Sequence, residues 1–228
     1  DLAGVLGVPL ERLRVVTGDV GGNFGTRNRA YVEYGLVLWA ARKLARPVKF
    51  TASRAESLIS DYQGRDLLIE VELALDAAGR FLALRASNVS NVGARCVSLS
   101  PLSKGSGLIT GPYRIPAATL RSRAVFTNTA PTNPYRSSGR PEITFALERV
   151  VDAAARELGI DRVELRRRNL VPPEAMPYRN AVGMVYDSGT YAANLDLALR
   201  LADWDGFPAR REAALARGRR LGIGVAAY

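Results

Sequence analysis

Hydrophobic and polar positions change period several times along the chain, and each change marks an element. From Arg29 to Leu44 the apolar residues Val32, Leu36, Trp39, Ala40 and Leu44 recur every three or four positions, the period of a helix with one apolar stripe. Leu2, Val5 and Leu6 have helical spacing too. Leu13-Arg14-Val15-Val16-Thr17 and Val48-Lys49-Phe50-Thr51 are short β-branched runs that predict strands, the first of them buried. Ser53, with Glu56 three residues on, predicts a helix start closed by a capping box. Leu67 to Asp76 and Phe81 to Val92 predict a hairpin turning at Asp76 to Arg80, with Glu70 and Glu72 on its wet face. Ile143, Leu147, Val150, Val151 and Leu158 share one helix face behind Pro141, and Gly159 ends that helix. Asp161 is placed to cap another through Asn169, ahead of Pro172-Pro173. Two more helices are predicted, from Ser188 or Thr190 to Leu201 and from Pro208 to Ala216, and Leu221 to Tyr228 reads as a buried strand. The fold class is α+β: a mixed sheet with packed helices. A strand-rich part covers 1–140, and a mainly helical part covers 141–228 and ends in a truncated strand.

No period survives between residues 93 and 140, where Gly, Ser, Pro, Thr and Asn dominate and only Arg114 to Pro116 and Ser122 to Thr127 suggest strands. A loop region of that length in a folded domain is commonly functional. Within it, Tyr135-Arg136-Ser137-Ser138-Gly139-Arg140 sets two arginines around small residues, a pattern able to grip an anion or a metal-bound oxo group, though also that of an ordinary surface loop. The second notable stretch is Gly18-Asp19-Val20-Gly21-Gly22-Asn23-Phe24-Gly25-Thr26-Arg27, a glycine hinge between a predicted strand and a predicted helix. Its glycines permit left-handed backbone and close approach to a ligand. It matches neither GxGxxG nor GxxxxGK[ST], so it is either a tight turn whose Phe24 caps the core or a ligand-contacting loop. Gly105 to Gly111 lacks the flanking strand and helix that dinucleotide binding needs.

Composition narrows the chemistry. The 228 residues contain no His and a single Cys, Cys96, which excludes His-based acid–base catalysis, His metal sites, disulfides and thiolate zinc clusters within this chain. Cys96, with no His to activate it, reads as a packed thiol, and the scarcity of Cys fits a reducing, cytoplasmic setting. No apolar run is long enough to cross a membrane. The net charge of +10 leaves a basic nucleic-acid-binding module as an alternative, and a subunit-interaction module as another. Against nucleic acid, the charges are scattered, and the clusters Arg166 to Arg168 and Arg217 to Arg220 read as solvated helix faces.

Taken together, Thr17 to Gly25, Tyr113-Arg114-Ile115-Pro116, Phe126-Thr127-Asn128-Thr129, Pro134-Tyr135-Arg136, Gly139-Arg140-Pro141-Glu142 and Glu164 to Leu170 resemble one family. It is the molybdenum-binding large subunit of the xanthine dehydrogenase/aldehyde oxidase/carbon monoxide dehydrogenase enzymes, the molybdenum hydroxylases. The resemblance runs in order over essentially the whole chain. It implies part of a molybdenum cofactor-binding domain, with molybdenum held by a molybdopterin (the cytosine dinucleotide form among the options), and oxidation of an aldehyde or N-heterocycle with water-derived oxygen. It also implies iron–sulfur clusters and FAD on other subunits, and contact with the rest of the large subunit. By position, Gly22, Phe24, Gly25 and Arg136 would bind the cofactor, Phe24 and Arg136 nearest the molybdenum ligands, and Asn28, Lys104 and Ser138 would read the substrate.

Several positions depart from the pattern. Asn23 replaces a glycine, Asn28 stands where purine hydroxylases carry Glu, Lys104 where they carry Arg, and Ser138 where they carry a second aromatic. These changes argue against a purine. Ser137 occupies the position of the Cys of the carbon monoxide enzymes, which argues against copper-dependent chemistry. The family's Gln-Gly pterin loop and its Gly-x-Gly-Glu, source of the catalytic base, have no match. The chain lacks an initiator Met, so it is expected to be a middle piece that does not turn over by itself.

Overall fold

The computed structural model describes all 228 residues. In chain order it contains α1 (Leu2–Leu6), α2 (Val32–Leu44), α3 (Arg54–Ser60), β1 (Leu67–Leu75), β2 (Phe81–Asn91), α4 (Leu102–Ser106) and β3 (Ala117–Val125), then α5 (Arg140–Leu158), α6 (Arg162–Asn169), β4 (Tyr178–Arg179), β5 (Val185–Tyr186), α7 (Tyr191–Leu201) and α8 (Phe207–Leu215). The fold is α+β. Internal contacts divide the chain into two units whose segments alternate in sequence: residues 1–66, 91–101 and 124–138 form the first, and 67–90, 102–123 and 139–228 the second.

The second unit is built on the β1–β2 hairpin, which is antiparallel and runs in register from Leu67 opposite Ser90 to Ala74 opposite Ala83, with an irregularity before Leu75. β1 alternates as its sequence predicts: Ile69, Val71 and Leu73 turn inward while Glu70 and Glu72 face solvent. The sheet order is β1-β2-β3. Across one face lies α5, whose Ile143, Leu147 and Val151 join Phe81, Leu84, Ile109, Tyr113 and Leu165 in the core. Each such side chain contributes roughly 1.5–3 kcal/mol by leaving water. α5 begins behind a left-handed Gly139 with proline in its first turn and ends at Gly159, also left-handed (φ 64°). α6 is capped by Asp161, which accepts from the Val163 and Glu164 amides at 2.9 and 3.0 Å.

Two polar clusters pin this unit. Asn169 accepts from the Phe81 amide and donates to the Gly79 carbonyl, both at 2.8 Å, clasping the hairpin turn to α6. Arg166 is wholly buried rather than solvated as its charge run suggested. It pairs with Glu148 at 2.7 Å and Asp152 at 2.8 Å, while the Tyr113 hydroxyl donates to Glu148 at 2.6 Å. The segment from Tyr178 to Asp187 contains the short β4–β5 hairpin, organised by Asn180, which donates to the Gly107 carbonyl at 2.9 Å and accepts from the Met184 amide at 2.8 Å.

In the first unit α1 packs on α2, and α3 carries the predicted capping box: the Ser53 amide donates to Glu56 at 2.7 Å and the Glu56 amide to Ser53 Oγ at 3.2 Å. The Glu56 carboxyl is held below its ordinary value by the Ser53 backbone amide first and the Ser53 side chain second. Three expected strands are absent. Leu13 to Thr17, Val48 to Thr51 and, in the second unit, Leu221 to Tyr228 join no ladder. Val15 and Val16 are about three-quarters exposed rather than buried, because no strand of this chain lies beside them. Cys96 is exposed, not packed, since it sits in an irregular loop outside any core.

Candidate functional site

The glycine–Phe loop and the Tyr-Arg loop meet within the first unit. The Arg136 amide donates to the Phe24 carbonyl at 2.8 Å, and Gly25 lies so close to Pro134 that a Cβ would stand 2.9 Å from its carbonyl oxygen. Further along the seam, Asn133 Nδ2 donates to the Thr26 carbonyl at 2.7 Å and to Asn28 Oδ1 at 3.2 Å. Residues 24–28 and 133–136 are therefore zipped side by side.

Left-handed backbone concentrates along this seam. Among non-glycine residues, Phe24 (φ 52°), Arg65 (61°), Ser137 (71°) and Ser138 (45°) take such conformations, with Ala45 and Asp203 the others in the chain. Strained backbone collects where the surroundings over-determine it, typically at ligand sites. Gly22 (φ 101°) and Gly25 (φ 93°) flank Phe24, and a Cβ on Gly22 would stand 3.0 Å from the Phe24 ring. Phe24 does not cap the core: it is 58% exposed, with its ring 6.4 Å from that of Tyr135.

Supports hold each loop in place. The Arg65 guanidinium donates to the Arg136 carbonyl and lies over the Tyr135 ring, 4.9 Å from its centre. The Gln63 amide and carbonyl bond to Pro131 O and the Asn133 amide, at 3.1 and 2.9 Å. Downstream of Phe24, Asp61 pairs with Arg27 at 3.0 Å and accepts from the Tyr31 hydroxyl. Burial first, then that hydrogen bond, pushes the Tyr31 phenol far above its ordinary value.

Of the residues singled out from sequence, Gly22, Phe24, Gly25, Asn28, Arg136 and Ser138 thus share one unit, Ser138 in the turn where its amide donates to the Tyr135 carbonyl at 2.7 Å. Lys104 belongs to the second unit, on α4. Asn133 and Arg65 were not anticipated, because nothing near them in sequence marks them. No three His, Cys, Asp or Glu side chains gather as a metal site. A hollow of about 730 Å³ is made by the second unit alone, between α6 and α7, and is rimmed by ion-paired Arg167 and Asp196. An apolar groove between α1 and α2, about 550 Å³, is lined by Leu2, Val5, Leu36 and Trp39.

Comparison with known proteins shows the family. A family model for the molybdopterin cofactor-binding domain matches residues 1–170. The gamma subunit of the 6-hydroxypseudooxynicotine dehydrogenase complex of Paenarthrobacter nicotinovorans is 36% identical across 98% of this chain and 29% of its own length. The carbon monoxide dehydrogenase large chain of Hydrogenophaga pseudoflava is 34% identical across 91% of this chain and 26% of its own. Among solved structures, quinoline 2-oxidoreductase from Pseudomonas putida 86 superposes with a TM-score of 0.89 at 34% identity, covering 95% of this chain and 28% of that one. The chain spans less than a third of the length of these relatives. The glycine–Phe loop zipped to the Tyr-Arg loop thus sits in a chain that belongs to the molybdenum hydroxylase large-subunit family, within its molybdopterin cofactor-binding domain.

Proposed function

We propose that the chain forms one wall of the molybdenum site of a hydroxylase that oxidises an aldehyde or an N-heterocycle. The observation that carries this reading is Phe24, held in left-handed backbone with its carbonyl tied to the Arg136 amide and its ring left open. The residues present suit a molybdopterin. No cluster of ligating side chains stands in this chain, and a metal that brings its ligands on the pterin asks of these residues only close backbone approach and an apolar contact. Gly22 and Gly25 allow the first and Phe24 supplies the second. The cofactor, when bound, supplies the two-electron oxidation that places a water-derived oxygen on carbon.

In this reading Gly22, Phe24, Gly25 and Arg136 lie against the cofactor, with the Phe24 ring excluding water from one side. The Arg136 guanidinium adds a fixed positive charge. Asn28 and Ser138, in the same unit, face the substrate. Ser137 offers no thiolate for a second metal, which speaks against copper-dependent chemistry. The cytosine dinucleotide form of the pterin, partner subunits carrying iron–sulfur clusters and FAD, the remainder of the large subunit and a cytoplasmic location belong to the same proposal.

Molybdenum and pterin content, measured by mass spectrometry on this chain and on its full-length parent expressed side by side, tests the reading. Both components are expected in the parent and not in the chain alone. A parent that takes up neither, where a known family member loads normally, overturns it.

A further inference from the structure

Three consecutive residues, Gln63, Gly64 and Arg65, grip the loop that carries Arg136, each by a different means. Gln63 uses its backbone, bridging to Thr132 in parallel register through the Pro131 carbonyl and the Asn133 amide. Its Nε2 also donates to the Thr129 hydroxyl at 2.9 Å and the Ala130 carbonyl at 2.6 Å. Gly64 acts by lacking a side chain, since a Cβ there would stand 2.9 Å from that of Tyr135. Arg65 uses its guanidinium, which donates to the Arg136 carbonyl and lies 4.9 Å from the centre of the Tyr135 ring. The Arg65 backbone is left-handed at φ 61°, a conformation that a residue with a Cβ keeps only where its surroundings hold it. Arg136 is thereby fixed at both of its main-chain polar groups: its amide donates to the Phe24 carbonyl at 2.8 Å, and its carbonyl accepts from Arg65. With both groups fixed, the direction in which the Arg136 side chain leaves the backbone is fixed too. A planar cation can stack on an aromatic ring and bond a carbonyl with the same group, whereas lysine offers a point charge and a donor without the plane.

We propose that Arg65 is a positioning residue of the molybdenum site. It acts through Arg136 and Tyr135 rather than on the cofactor or the substrate: it orients the Arg136 guanidinium, and it ties the Tyr135 ring, 6.4 Å from that of Phe24, to the same seam. Without Arg65 the seam stays joined through the Arg136 amide and Asn133, but the Arg136 carbonyl is free to turn and the side chain turns with it. The cofactor then still loads but meets a misdirected charge. This rests on the reading above, in which Arg136 lies against the cofactor.

The test uses the molybdenum-loaded holoenzyme containing this chain, as wild type, Arg65→Ala and Arg65→Lys. It reads metal and pterin content, the electron paramagnetic resonance spectrum of the partly reduced molybdenum, and kcat and KM with an oxidisable N-heterocycle. Arg65→Ala is expected to keep both components, to shift the spectrum and to lower kcat about tenfold, the low end of what a hydrogen bond from a charged group is worth, with KM changed less than roughly twofold. Arg65→Lys, which keeps charge and donor without the plane, should fall between. Methylguanidinium added to Arg65→Ala should restore part of kcat, a rescue that a loss of folding would not allow. A loaded Arg65→Ala enzyme with the wild-type spectrum and kcat overturns this inference and leaves the molybdenum reading standing. Where that variant loads no metal, Arg65→Lys decides by the same two readouts. A parent that loads neither metal nor pterin overturns both.

Discussion

At Gly25 two constraints coincide: the backbone is left-handed at φ 93°, and a Cβ would stand 2.9 Å from the Pro134 carbonyl oxygen. Alanine there adds strain of roughly 1–3 kcal/mol to the seam. We expect Gly25→Ala to speed exchange of the Arg136 amide, whose acceptor is the Phe24 carbonyl, and to lower pterin uptake by the parent protein. Gly18, with open space around it, is the control, and an equal effect of Gly18→Ala would show that glycine content rather than this contact matters. A second residue-scale prediction concerns Tyr113. Burial first, and Glu148 second, hold its phenol neutral far above the ordinary value of 10.0. The unfolded chain ionises near that value and the folded one does not. Stability is therefore fully present below pH 10 and declines as pH rises beyond it, by up to about 1.4 kcal/mol per pH unit for one group. Tyr31, also raised, acts in the same direction. Urea midpoints at pH 8 and pH 11 should differ more for wild type than for Tyr113→Phe, which at pH 8 costs only about 1 kcal/mol for the lost hydrogen bond. Arg166→Met is far more damaging, about 3–5 kcal/mol, because it leaves buried Glu148 without its cation.

Elements whose determinants are local were legible in the sequence. The Asp161 cap is one: its carboxylate takes two amides of the first turn of α6, and Asp161→Ala should cost about 1 kcal/mol, read as a lower thermal midpoint, with Asp161→Ser close to neutral. The Ser53–Glu56 capping box and the alternation of β1 were equally readable, each being fixed by residues a few positions apart. What depends on distant partners was not. Leu13 to Thr17 has the composition of a strand, yet a strand exists only beside another, and pairing is invisible in a single segment. The run Arg166 to Arg168 gave charge but not direction; one of the three turns inward to Glu148, while Arg168 pairs with Glu164 at 2.8 Å on the surface. At the candidate site, Phe24 and Arg136 could be found by their motifs. Asn133 could not, because its role comes from Asn28, 105 positions away.

Apolar burial is divided unevenly between the two units, and stability should follow it. The second unit holds the core of Phe81, Leu84, Ile109, Tyr113, Leu147 and Leu165, whereas in the first only Tyr62 and Val92 among the hydrophobic side chains are buried. Leu36 and Trp39 on α2, and Leu58 and Ile59 on α3, are more than half exposed. Helices of 13 and 7 residues gain little stability from their own hydrogen bonds and depend on packing that this chain does not provide. Opening free energies should accordingly differ between units, as they do wherever contact density differs. Hydrogen exchange on the isolated chain is expected to show α5 and β2 amides protected and α2 and α3 amides exchanging orders of magnitude faster. In the parent protein the α2 and α3 amides should slow markedly, as their exposed leucines, isoleucine and tryptophan become covered. Equal protection of α2 and α5 in the isolated chain would mean that the glycine–Phe loop is held by a stable unit of its own. Unequal protection, relieved in the parent, would mean that the seam between residues 24–28 and 133–136 becomes rigid only as the larger protein assembles around it, which would tie formation of the proposed cofactor wall to that assembly.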